Sequence, residues 1–218
     1  MRTTERLTKL KAWIENELCK GREMKAPAEN NNIAEIVRQE PRCFLAWQPT
    51  RPDVTGNLRI DPLNVCPGIV VMPKASYAKH VEEKRFDRYN KVFRPQEMGR
   101  MLCVDILFSI YEPGVRLPGF VDSAKSGKGL DLTLLQEGTE QGLFTLCNWM
   151  DDCMEALLTQ KQIPGTDLIV DEESVGYSLY SDQSYVVDKR PLYYGFITVN
   201  FYGHADEGIN SGIRRCLD

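Results

Sequence analysis

Nucleophiles, carboxylates and a glycine-lysine pair are the residues of this chain whose chemistry could be put to work. Gly127-Lys128 resembles the end of a phosphate-binding loop. That loop needs a glycine at position 122, where Asp122 stands, and a serine or threonine at 129, where Gly129 stands, so the phosphate reading fails on its own spacing. There is no GxSxG elbow and no HExxH pair, and neither His80 nor His204 has a serine or cysteine beside it that would make a triad. The seven cysteines (Cys19, Cys43, Cys66, Cys103, Cys147, Cys153 and Cys216) contain no CxxC and are scattered through apolar segments. They read as buried thiols in a reducing compartment rather than as disulfides or zinc ligands.

The acidic clusters Asp151-Asp152 and Asp171-Glu172-Glu173 are the remaining candidates, since carboxylates that converge on one point hold divalent ions. Neighbours on a helix diverge instead. Asp151 and Asp152 lie off the apolar stripe of their helix, and Asp171 to Glu173 read as the polar lead-in to a strand. His204 reads as a turn residue just after the last strand, and Cys147 and Cys153 as inert thiols near a buried stripe. On these residues no catalytic centre, cofactor or metal site is expected.

The 218 residues are 42% hydrophobic, enough for a sizeable core, and a net charge of −4 from well-mixed acids and bases argues against a generic nucleic-acid binder. The longest apolar run, Leu102 to Ile110, is interrupted by Asp105 and falls far short of the roughly 20 residues of a membrane helix. The basic residues near the start sit in an amphipathic pattern rather than before an apolar stretch, so neither a membrane partner nor export is expected.

Several elements can be placed from periodicity. Leu7, Leu10, Trp13, Ile14 and Leu18 form one helical stripe behind possible caps at Thr3 and Thr4. Short strands are expected at Ile33 to Val37 and Cys43 to Trp47. Pro49, Pro52, Pro62, Pro67 and Pro73 then leave room for only a short buried strand at Ile69 to Met72. A base-rich excursion covers Tyr77 to Arg94. Leu102, Val104, Ile106, Phe108 and Ile110 alternate with a partly polar set, as in a long central strand with one buried face.

Pro113 to Gly129 reads as a long surface loop. A principal core helix follows between Thr139 and Leu158, with Leu143, Leu146, Cys147, Met150, Cys153, Met154, Leu157 and Leu158 on its apolar side and Pro164-Gly165 ending it. Strands are expected at Ser174 to Tyr180 and Tyr193 to Tyr202, with a turn or short strand near Asp182 to Val187 between them. The order implies one α+β domain over 1–218, a mostly antiparallel sheet with two main helices packed on one face, and inserted loops at about 49–100 and 112–138.

The helix Glu5 to Leu18, the strand Met101 to Glu112, the segment Gly142 to Leu158 and the final strand Tyr193 to Gly203 together resemble the tail terminator proteins of long-tailed bacteriophages. The likeness covers about half of the chain by pattern, without a unique signature. It implies a structural, non-catalytic virion protein that assembles in the bacterial cytoplasm. Its copies would form a hexameric ring that caps the tail tube, stops its polymerisation and meets the neck or connector. The chain is longer than such proteins often are, with the extra residues in 49–100 and 112–138.

Under that resemblance Arg85, Arg88, Lys91, Arg94, Lys125 and Lys128 are the expected contacts to acidic surface on a neighbouring subunit or on the tube protein. No sequence-specific nucleic-acid partner is implied. Two other functions fit the same residues: a head-tail connector or completion protein of the neck, and a metal-dependent nucleic-acid-processing enzyme using scattered carboxylates.

Overall fold

A computed structural model describes residues 2–27, 36–48, 50–52, 56, 58–60, 65–81, 97–117, 135–137, 140–179 and 191–204. Helix α1 spans Thr3–Ile14 and continues as a π-helical turn over Glu15–Cys19. Its cap is Arg2 rather than Thr3 or Thr4, and the backbone N–H of Arg2 donates to the Glu5 carboxylate at 3.0 Å. The π turn departs from the plain helix expected to Leu18. Leu18 and Cys19 are the buried residues of this turn.

Strands β1 (Met24–Pro27) and β2 (Ile36–Gln39) form an antiparallel pair, and β3 (Arg42–Leu45) follows. A small pair, β4 (Thr50–Pro52) and β5 (Leu58–Ile60), precedes the long strands β6 (Gly68–Val81) and β7 (Glu97–Tyr111). Another small pair, β8 (Val115–Leu117) with β9 (Leu135–Glu137), occupies ends of the stretch expected to be loop. Helix α2 (Gln141–Gln160), β10 (Ile169–Val170), a 3-10 turn at Glu172–Ser174, β11 (Gly176–Leu179) and β12 (Leu192–His204) complete the described chain. No helix among the described residues is long and apolar enough to cross a membrane.

The main sheet runs β10-β12-β7-β6-β3, with β11 also on β12, and is antiparallel except where β3 meets β6. The class is therefore mixed α and β with a mostly antiparallel sheet and two helices. The alternation in β7 is translated directly into cross-strand layers. Ile106 lies between Val71 and Ile197, Val104 beside Val199, and Leu102 beside Phe201, all buried. Residues of α1 and α2 join them in one apolar cluster.

Among the boundaries that depart from expectation, three do so for a tertiary reason. Strand β6 passes through Pro73 to Val81, with a register shift between Pro73 and Ala75. Proline is tolerated there because β3 pairs only as far as Val71, so no described strand on that side needs its missing N–H. Likewise β12 continues to His204, opposite Gly99, because β7 begins earlier than its apolar run and supplies a pairing partner. Helix α2 stops at Gln160, before Pro164-Gly165; Lys161 turns to a φ of 55° and its N–H donates to the Leu157 carbonyl at 3.1 Å.

Around α2 the buried side is Gly142, Leu146, Trp149, Met150, Cys153 and Leu157, so the stripe is turned toward Trp149 and away from Leu158, which is exposed. The Trp149 ring meets Phe108 edge-on at 5.2 Å, and its indole N–H donates to the Leu18 carbonyl at 3.0 Å. Gly142 is required by close approach: a Cβ there would lie 2.4 Å from the Tyr193 ring.

Candidate functional site

The polar side chains gather in separate places, and each group is tied down by its own element. At one end of the sheet, Lys25 of β1 donates to both carboxylate oxygens of buried Glu112, at 2.6 and 2.7 Å. The Glu112 N–H donates to the Pro191 carbonyl at 2.8 Å, which locks the chain where β7 ends. Nearby, the Ser109 hydroxyl donates to the Gly68 carbonyl at 3.1 Å. Burial pushes the Cys66 thiol up to about 11 despite its hydrogen bond with Ser109, and burial also pushes the Tyr194 hydroxyl up to about 12. Thiol and phenol therefore stay protonated near neutral pH, so neither is an activated nucleophile or base.

The other buried thiols behave in the same way. Burial raises Cys19 and Cys43 to about 12 and raises Cys153 as well, while the half-buried Cys147 is raised by burial and by Asp151. These are packing residues. Cys216 lies outside the described residues.

On the sheet face opposite the apolar cluster, Asp105 accepts from Thr198 Oγ1 at 2.8 Å and pairs with Lys74 at 2.9 Å. Asp171 accepts from Tyr202 at 3.0 Å, and Glu172 pairs with Lys161 at 3.0 Å; the acidic run leads into strand β11 as expected, by way of the 3-10 turn at Glu172–Ser174. Asp152 pairs with Arg22, and Asp151 is exposed. Among the described residues no three of His, Cys, Asp and Glu are grouped to hold a metal ion.

Sequence reasoning missed a buried ion pair. Arg6 of α1 is only 2% exposed; its Nε donates to Asp167 Oδ1 at 2.8 Å and a second guanidinium nitrogen engages Oδ2. Burial alone would raise the Asp167 carboxyl, but the Arg6 hydrogen bond and charge outweigh it and hold the group below its ordinary value. Lys9 adds a bond to the Gly165 carbonyl at 2.6 Å. Arg6 stands four residues before Leu10, on the buried side of α1, which was the available signal. Nothing local marks Asp167.

The surface holds the remaining candidates. Phe44 of β3 and Trp47 just beyond it meet edge-on at 6.0 Å, and Trp47 is 63% exposed. Along the outer side of α2, Phe144 and Leu158 are exposed at 51% and 37%. All six bases expected to make contacts (Arg85, Arg88, Lys91, Arg94, Lys125 and Lys128) lie outside the described residues, in the segments 82–96 between β6 and β7 and 118–134 between β8 and β9. No family model matches the chain, and neither a curated protein nor a solved structure matches it.

Proposed function

We propose that this protein is a structural assembly protein of a long-tailed bacteriophage or a related tail-derived particle: a tail terminator whose copies form a ring, six by analogy with that family, on the end of the tail tube. The ring stops tube growth and presents a surface to the neck, and the protein acts in the virion without catalysis. The observation that carries the reading is the order of the elements bearing the resemblance. Helix α1, central strand β7, helix α2 and the tyrosine-rich β12 follow one another in that order, with β7 and β12 paired over their lengths.

A finer feature of the fold belongs to the same reading: both helices cover one face of the sheet. It is supported by the single apolar cluster that joins Leu10 and Ile14 of α1, Trp149 and Met150 of α2, and the even-numbered residues Val104, Ile106 and Phe108 of β7. A sheet covered on one side leaves its second face and the outer sides of its helices for neighbours, as a ring subunit requires. The bases at Arg85, Arg88, Lys91, Arg94, Lys125 and Lys128 are proposed contacts to acidic surface on the tube protein or an adjacent copy.

The test is negative-stain imaging of the purified chain, alone and added to polymerising tail tube protein from the same particle. Six-fold rings with an open centre, and tubes whose length ceases to grow once the chain is added, are expected. Tubes that lengthen unchanged, with no chain on their ends, overturn the terminator assignment. Reversing three of the six bases should impair capping without lowering Tm.

A further inference from the structure

We propose that the outer stripe of α2 in one copy docks on the Arg42, Phe44 and Trp47 patch at the β3 edge of a second copy, making a head-to-tail contact. The inference rests on the ring reading above and assigns the two faces that would form the ring. At 100° per residue, Phe144, Asp151, Glu155 and Leu158 fall on one line along α2, diametrically opposite the buried Leu146, Cys153 and Leu157. The stripe thus has an exposed apolar residue at each end and two exposed carboxylates between them.

The β3 patch has the complementary chemistry. Cys43 and Leu45 face the apolar cluster, so Arg42 and Phe44 project from the opposite face of the sheet, and Trp47 packs its ring edge-on against Phe44. Arg42 is exposed, and neither it, Asp151 nor Glu155 makes an ion pair with a described residue. An arginine on the same strand face as Phe44, whose ring touches Trp47, fits a strip of two carboxylates flanked by Phe and Leu: the charges steer and set the register, and the aromatic residues supply the desolvated anchor.

The placement of the two patches makes the contact head-to-tail. α2 packs on the core side of the sheet and turns its stripe away from it, whereas Arg42 and Phe44 are on the far side and at the other sheet edge from β10. One copy cannot bring its own two patches together. Docking them between copies is heterologous, and a heterologous contact that closes makes a ring.

The experiment is analytical ultracentrifugation and native mass spectrometry of the full chain, with the tube-capping assay run beside them. The variants are Arg42→Glu, the pair Asp151→Lys with Glu155→Lys, their combination, and Trp47→Ala. All of these positions are exposed, and circular dichroism checks that each variant folds. Wild type is expected to self-associate; Arg42→Glu, the α2 pair and Trp47→Ala each weaken this by at least about tenfold, and the combined charge swap regains most of it. Association unchanged in the single-face variants overturns the assignment of these faces while leaving the ring reading intact. A wild-type chain that caps tubes but never self-associates overturns the docking alone, and one that does neither overturns both.

Discussion

Helix α2 meets the sheet through Leu146, Trp149, Met150, Cys153 and Leu157, an apolar fit that includes the approach of Gly142 to the Tyr193 ring. Helix α1 also carries an apolar stripe, but adds the buried Arg6–Asp167 pair and the bond from Lys9 to the Gly165 carbonyl. The first arrangement draws on burial and shape, which respond little to pH or salt. The second depends on a carboxylate keeping its charge beside a guanidinium taken out of water, so it is conditional on pH and fails asymmetrically when one partner is lost. In one molecule the two helices therefore offer two different ways to loosen the same core.

The largest effect should come from the apolar side. Trp149→Ala removes a fully buried ring, its edge contact with Phe108 and its hydrogen bond to the Leu18 carbonyl, and should cost about 4 kcal/mol in urea unfolding monitored by circular dichroism. A loss under about 1 kcal/mol would mean that α2 is not held by this contact.

Next comes the ion pair. Arg6→Met leaves the Asp167 carboxylate without its guanidinium and should cost about 2–3 kcal/mol, below the range for a fully buried pair because Asp167 keeps 20% exposure. Combining Arg6→Met with Asp167→Leu should recover part of that loss, since the stranded charge is gone. Equal losses in the single and double variants would remove the electrostatic account of how α1 is held.

The smallest effect is a change of slope with pH. Asp167 is held below its ordinary value in the folded chain, so its pairing stabilises the fold fully above the unfolded carboxylate range near about pH 4 and is lost as pH falls through the lower, folded value. Asp167→Asn should therefore lower Tm at neutral pH and flatten its fall below about pH 4. Parallel curves for the variant and wild type would assign the acid sensitivity to other carboxylates.

How much was legible varied with the range of the interaction. The alternation from Leu102 to Ile110 announced a central strand, and pairing with β6 on one side and β12 on the other realises it. The stripe of α2 was visible but turned by about 60°, at 100° per residue, from the side that is buried. Leu143, Cys147, Met154 and Leu158 widen the apolar side locally. Only Phe108 and the Leu18 carbonyl, both distant in sequence, select Trp149 for the interior. That rotation is also what leaves Phe144 and Leu158 outside, so the surface assigned to docking could not be read before the core was known.

By itself the sequence determined the two main helices, the central strand β7 and the final strand β12, and their order, because helical and strand periodicities are written within a few neighbouring residues and apolar side chains leave water wherever they fall. Tertiary structure decided the pairing of Arg6 with Asp167, the passage of β6 through Pro73 and the outward stripe of α2. Each depends on a partner, or on an open strand edge, supplied by a part of the chain far away in sequence, and the distance through space that makes such contacts favourable has no local signature.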